Sequence, residues 1–298
     1  MNGFTDFKSG FISIIGRPNV GKSSLLNLLV GDRISAVSPK PNTTRNRILG
    51  IKTQENAQFV FIDTPGIRKA RGKLEKAMVQ AANAALHEAD VLLVMIEVDK
   101  PFGPGDRFII ENLSKPSILL INKIDTVKKS KILEIINTSQ RYSDKLLEVI
   151  PISVIEADGI DELIQTIIKY LPQGTRYFPD DMITDQSERF LVSEIIREKI
   201  FILLEKEIPY KTAVVIEEFN EAAGKRLLEI FATVYVERRS HKGIIIGSKG
   251  KMLKEIGTMA RKDIEKAFGI KVFLEIWVKV KERWSDRENL VKDFGYGI

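Results

Sequence analysis

The sharpest chemical pattern in the chain is the octapeptide GRPNVGKS, running from Gly16 to Ser23. It fits G-x-x-x-x-G-K-[ST] and lies between an apolar run, FISIIG, and a helical pattern beginning near Lys22. Gly16, Arg17, Pro18, Asn19, Val20, Gly21, Lys22, Ser23 and the following Ser24 can cradle phosphate. The glycines let backbone N–H groups approach phosphate oxygens, and the first helical turn adds its unpaired donors. Lys22 would neutralise the β- and γ-phosphates, and the Ser23 hydroxyl would bind Mg²⁺. A glycine turn with a chance lysine is the plain alternative, and the strand–helix setting argues against it.

Two more tetrapeptides follow in the order a nucleotide site needs. DTPG (Asp63, Thr64, Pro65, Gly66) ends an apolar run, where Asp63 can hold the Mg²⁺ shell and the Gly66 N–H can meet a γ-phosphate. NKID supplies Asn122, Lys123 and Asp125 at the end of another. Asn122 and Asp125 offer hydrogen bonds to a base, and the Asp125 carboxylate suits the N1–H and 2-amino donors found together on guanine. Against adenine that carboxylate would be left unpaired, a penalty of roughly 1–3 kcal/mol or more. GTP is therefore favoured over ATP. All three motifs fall at carboxyl ends of strands, where open α/β sheets place ligands.

The elements that must position these residues alternate β-rich and helical patterns through residue 172. Strand candidates are 11–16, RNRILGIKT, AQFVFID, 91–98, 117–123 and 148–153; helical patterns cover the stretch from Lys22, 73–88, 104–113, 129–141 and 160–171. Near-continuous apolar strands between helices predict an α/β P-loop NTPase sheet, mostly parallel, with helices on both faces. The two adjacent strands after the first helix predict one antiparallel edge. Residues 1–172 form the predicted G domain, and QGTRYFPDDMITDQS reads as a linker over 173–187. A smaller α+β domain spans 188–283 in the order α-β-β-α-α-β, with a turn at Ala223–Gly224. Residues 284–298 read as a polar tail.

Charge is distributed unevenly. The chain of 298 residues carries 46 Lys or Arg against 40 Asp or Glu, a formal +6. Residues 1–173 hold +4, 174–237 hold −5, 238–283 hold +8 and the last fifteen −1. Six basic residues and no acidic one lie within 238–254: Arg238, Arg239, Lys242, Lys249, Lys251 and Lys254. They surround GSKG, that is Gly247, Ser248, Lys249 and Gly250, a G-x-x-G loop that can approach a sugar–phosphate backbone. Ile244, Ile245, Ile246, Leu253 and Ile256 would line a shallow groove for unstacked bases, the arrangement of a KH domain on single-stranded RNA. A solvated basic face is the alternative. His241 is read as an RNA contact or an exposed histidine, and Trp277 as a sheet cover or a recognition residue.

Composition excludes other chemistry. The chain has no cysteine, which removes disulfides, thiolate zinc sites, iron–sulfur clusters and cysteine nucleophiles. The opening MNGFTDFKSG lacks a signal-peptide pattern, and the apolar runs are too short to span a bilayer, so a cytoplasmic protein is expected.

Taken together, GRPNVGKS, the PNTTR of 41–45, DTPG, NKID and the ISV of 152–154 resemble the translation-factor-related GTPases. With IIIGSKG, the LKEIG pattern and the VKVKERW end, the whole chain resembles the Era GTPase family, which has a G domain and a type II KH domain. The resemblance implies that Asn42–Arg45 form the first switch, and Ile67 to about Lys76 the second. It implies Thr44, rather than Thr43, as the second protein ligand to Mg²⁺, beside Ser23 and Asp63. Ser153 and Val154 fall in the guanine-contacting segment, with valine where the family usually has alanine.

Ile67 stands where some GTPases carry a water-orienting glutamine. Catalysis then rests on Lys22, Thr44, the Gly66 N–H and Mg²⁺, and slow intrinsic turnover is expected. Asn19 matches the phosphate-loop asparagine by which related GTPases recruit K⁺. The resemblance further implies a monomer that binds the 3′ end of small-subunit rRNA and assists small ribosomal subunit maturation. It also implies peripheral contact with the inner face of the cell membrane. A GTPase switch with a protein-docking or membrane-recruitment second domain is the rival reading, and an ATP-dependent enzyme of the same fold is a third.

Overall fold

The computed structural model describes residues 7–66, 72–222 and 226–296. Ile67, most of the second-switch segment before Lys73 and the Ala223–Gly224 turn lie outside them. Contacts divide the chain into two compact units. One gathers residues up to 35, 44–66 and 79–185; the other gathers 36–43, 72–78 and the chain from 186 onward.

In the first unit, β1 (Lys8–Gly16), β2 (Ile48–Thr53), β3 (Ala57–Asp63), β4 (Val91–Glu97), β5 (Ser117–Asn122) and β6 (Leu146–Pro151) form one sheet. Its order is β2-β3-β1-β4-β5-β6. β2 runs antiparallel to β3, and the other neighbours are parallel. The connecting helices are α1 (Lys22–Val30), α2 (Lys73–Glu88), α3 (Pro104–Glu111), α4 (Lys129–Ser139) and α5 (Ile160–Tyr170). This is the mixed, mostly parallel P-loop sheet expected. AQFVFID of β3 and SILLIN of β5 are buried throughout, because helices cover both faces of a parallel sheet. Val94, Ile96, Leu119 and Ile121 pack with Ile109 and Ile110 of α3, whereas Leu49, Val60 and Ile62 pack with Ala85 of α2.

The stretch read as a linker is hydrogen-bonded along this sheet as far as residue 184. Gly174 N donates to Phe7 O at 3.1 Å, and Ile51 N to Ile183 O at 2.8 Å. Gln58, fully buried, accepts from Tyr177 N at 2.7 Å and Phe178 N at 3.0 Å, and donates to Phe178 O at 2.8 Å. A buried side-chain amide needs such partners, and this segment supplies them.

The second unit contains α6 (Glu188–Leu203), β7 (Thr212–Glu221), β8 (Leu227–Val236), α7 (Arg239–Ile246), α8 (Lys251–Phe268) and β9 (Lys271–Val280). The α-β-β-α-α-β order is that of a type II KH domain. β7 and β8 are antiparallel, and β9 runs parallel to β8. Val192, Ile196 and Ile200 recur at helical spacing on α6 and meet Ile230, Val234, Ile256, Ala260 and Ile264. Residues 36–43 belong to this unit: Val37 N donates to Glu198 Oε2 at 3.0 Å, and Lys40 Nζ to Phe201 O at 2.7 Å.

The tail is part of this unit's core rather than a polar appendage. Trp284 is fully buried and its indole N–H donates to Lys211 O at 3.0 Å. A last helix, α9 (Glu288–Asp293), brings Phe294 and Tyr296 against it, with ring centroids 5.3 and 5.8 Å away. Leu74, Met78, Ala213 and Val291 complete the cluster. Trp284→Ala is expected to destabilise this unit by about 3–5 kcal/mol, the cost of an aromatic-sized cavity. Chemical denaturation of the full chain measures it, and a loss under about 1 kcal/mol would show that the site collapses.

Candidate functional site: a phosphate loop and a basic groove

The phosphate loop joins β1 to α1. Gly21 has φ 109°, and a Cβ there would stand 2.5 Å from Asn122 Nδ2, so glycine is required both by conformation and by the close approach. Asn19 is also left-handed, at φ 67°, a conformation asparagine tolerates, and its side chain is exposed. Lys22 is buried, and its ammonium folds back to Gly16 O at 3.2 Å and Arg17 O at 3.0 Å. Burial pushes its pKa down, and the Asp63 carboxylate opposes that shift.

The Arg17 guanidinium turns away from the loop, donating to Asp106 Oδ1 at 2.6 Å and Lys100 O at 2.9 Å. Its backbone, not its side chain, is what this geometry offers to phosphate. Pro18 lies beside Gly66, where a Cβ would be 3.0 Å from the proline Cγ. Ser24 is half-buried in the first turn of α1.

At the end of β3, Asp63 is wholly buried. Its Oδ2 accepts from Ser23 at 2.6 Å, Ser35 at 2.9 Å and Thr44 at 3.4 Å. Ser23 and Thr44 hydroxyls are 2.7 Å apart. Asp63 Oδ1 has no hydrogen-bond partner among the described residues, and neither does the Thr64 hydroxyl. An unmet buried carboxylate oxygen beside two hydroxyls is an oxygen donor set that suits a hard divalent cation. Burial pushes the Asp63 carboxyl pKa up, while Lys22 and the three hydroxyls pull it back. Thr43, by contrast, bonds Ser38 Oγ at 2.6 Å and Lys40 O at 2.9 Å.

Asn122 uses both ends of its amide on the protein: Nδ2 donates to Val20 O at 2.8 Å and Oδ1 accepts from Val154 N at 3.2 Å. It thus clamps the phosphate loop to the 152–154 segment. Asp125 is exposed, with Oδ1 accepting from the buried Ser153 hydroxyl at 2.5 Å. Lys123 pairs with Glu97, a partner that no spacing in the sequence announces. Ile67 lies outside the described residues.

In the second unit the GSKG loop turns between α7 and α8. Gly247 has φ 71°, and a Cβ would meet Met252 Cβ at 2.7 Å. Arg238, Arg239, Ser248, Lys249, Lys251 and Lys254 are exposed; Lys242 and Gly250 are half-buried. A groove of about 460 Å³ runs along α8 and β9, lined by Gly250, Leu253, Lys254, Gly257, Thr258, Arg261, Leu274 and Ile276. Of the five apolar residues expected to line it, Leu253 does; Ile245 and Ile256 are fully buried, and Ile244 and Ile246 lie outside the lining, a correction to the sequence expectation. Sequence reasoning missed Arg261, although its spacing from Lys254 and Thr258 puts all three on one helix face. His241 is buried, not exposed, with Nε2 3.7 Å from Glu207. Trp277 is 57% exposed on the sheet.

Residues 11–123 match the family of 50S ribosome-binding GTPases, and 207–285 match the KH domain. A "GTPase Era" of Syntrophus aciditrophicus is 50% identical over 97% of this chain and 95% of that protein. The chain belongs to the Era GTPase family. A GTPase Era of Geobacter metallireducens is likewise 50% identical, over 97% of this chain and 98% of its own length. Two Era crystal structures superpose with TM-scores of 0.94 over 98% of this chain and all of theirs. One, 43% identical, is a complex with MgGDPNP and nucleotides 1506–1542 of 16S ribosomal RNA. The other, 42% identical, is a variant of Aquifex aeolicus Era bound to GDP·AlF4⁻. As an Era-family GTPase the chain is a GTP hydrolase with a C-terminal KH domain.

Proposed function

We propose that this protein hydrolyses GTP at the site around Asp63 and holds the single-stranded 3′ end of small-subunit rRNA in the groove beside GSKG. Its task on this reading is maturation of the small ribosomal subunit. Ser23 and Thr44 hydroxyls and the Asp63 carboxylate would hold Mg²⁺, whose charge offsets that of the phosphates. Lys22 exchanges its loop carbonyls for phosphate oxygens and neutralises charge that develops there. The Gly66 N–H orients the terminal phosphate. Asn122 fixes the base pocket's wall, while Asp125, aligned by Ser153, reads guanine. Asn19 is the candidate K⁺ contact. A cytoplasmic monomer with peripheral contact at the inner face of the membrane completes the proposal; no described helix is long and apolar enough to cross a membrane.

The observation that carries the RNA reading is the groove itself, with Lys254 and Arg261 beside a left-handed glycine loop. Its support from relatives is the Era complex with 16S nucleotides. Fluorescence anisotropy with a short RNA of the rRNA 3′ end tests it. Affinity should fall linearly with log salt, and Lys249→Ala with Lys254→Ala should flatten that slope by about 1.4. GTP affinity should stay unchanged. An unaltered slope would instead favour the protein-docking reading. Equal RNA affinity of GTP- and GDP-loaded protein would show that the two sites are not coupled.

A further inference from the structure

We propose that Ser35 is a positioning residue for the Asp63 carboxylate, held in place by Asn27 of α1. The inference rests on reading the Asp63 socket as the Mg²⁺ site. Asp63 Oδ2 accepts from three hydroxyls. Two of them, Ser23 and Thr44, also have to offer lone pairs to the cation. Ser35 has no such second duty: its hydroxyl donates to Oδ2 at 2.9 Å from a site that is 2% exposed. It is therefore the donor that can fix the orientation of the carboxylate whatever the other two hydroxyls do, leaving Oδ1 as the oxygen without a hydrogen-bond partner among the described residues.

The way Ser35 is held points to the same role. A buried serine ordinarily turns its hydroxyl to a nearby backbone group. Here the Asn27 side chain has taken over that segment's backbone. Asn27 Oδ1 accepts from Ile34 N at 3.1 Å and Ser35 N at 3.0 Å, and Nδ2 donates to Ser35 O at 2.9 Å. With its own amide and carbonyl satisfied, Ser35 has its hydroxyl left over for Asp63. Asn27 lies four residues after Ser23, so one face of α1 carries both the metal-facing hydroxyl and the clamp on Ser35. Ser35 is 2% and Asp63 0% exposed, so bulk water does not compete for this bond.

Outer hydrogen bonds to metal ligands are typically worth 10–100-fold in metal affinity. The test is release of a fluorescent GDP analogue from the full-length protein, measured in millimolar Mg²⁺ and again in excess EDTA. Ser35→Ala is expected to release nucleotide about 10-fold faster in Mg²⁺, and at the wild-type rate in EDTA. Asn27→Asp, which keeps the acceptor oxygen but loses the bond to Ser35 O, should show a milder form of the same split. Ser35→Thr should restore slow release by restoring the hydroxyl. Faster release of Ser35→Ala in both conditions, or no change in either, overturns the positioning role. If Mg²⁺ fails to slow release from the wild type, the socket reading falls and takes this proposal with it.

Discussion

Asp125→Asn should cost about 10²–10⁴-fold in GTP affinity, because two charge-assisted hydrogen bonds are worth roughly 1.5–3 kcal/mol each. The carboxylate offers two acceptor oxygens to two guanine donors, and Ser153 at 2.5 Å fixes its plane. An amide presents one donor there, facing another donor on the base. Xanthine carries an oxygen where guanine carries its 2-amino group, so the same amide is matched by XTP. The variant should therefore bind XTP better than the wild type does, with its fold and its RNA affinity intact. Competition titration against a labelled nucleotide measures the ratio, and an unchanged GTP-to-XTP preference would remove Asp125 from the base pocket. A shift toward ATP is not expected, since Asn122 already has both amide atoms engaged by Val20 and Val154.

Lys22→Met should lower GTP turnover by about 10²–10³-fold, the scale for removing one preorganised donor to developing charge. The methionine keeps the apolar stem and deletes the ammonium. Burial holds the Lys22 pKa below its ordinary value, so the charged form is disfavoured by folding at every pH below the folded pKa. That penalty shrinks as pH rises from the folded pKa and is gone above the unfolded value. Deleting the charge lifts that penalty but also leaves the Gly16 and Arg17 carbonyls and the buried Asp63 carboxylate without this partner, so the readout is the nucleotide: GTP should raise the melting temperature of the variant less than that of the wild type. Wild-type turnover in this variant would contradict the role given to Lys22.

Much of the site was legible because its motifs are local. GRPNVGKS records a strand end, a glycine turn and a helix start within a few residues, and the structure places those elements there. The sheet's mixed character followed from two strands too close together for a crossover. What the sequence did not reveal rests on bonds between distant residues. Asn122 reaches Val20 across 102 positions, and Gln58 holds residues 177–178 through a single buried amide. Neither leaves a period or a spacing. Asn27, set among leucines, and Ser35, between Ile34 and Ala36, show no sign of this role in the sequence until the fold brings Asp63 to them. The isoleucines flanking GSKG show the limit of composition: Ile244 is 50% exposed and Ile245 is buried, a difference decided by helix phase.

The packing around Trp284 gives the molecule a built-in optical reporter. Of its two tryptophans, Trp277 faces solvent and Trp284 sits in an apolar cluster, both in the second unit. Their emissions should separate, with an iodide-quenchable red component from Trp277 and a shielded blue one from Trp284. Leu74 and Met78 of α2 line the Trp284 cluster. The blue component therefore registers whether the first turns of α2, through Leu74 and Met78, stay packed on Trp284, and it can be followed in unlabelled protein.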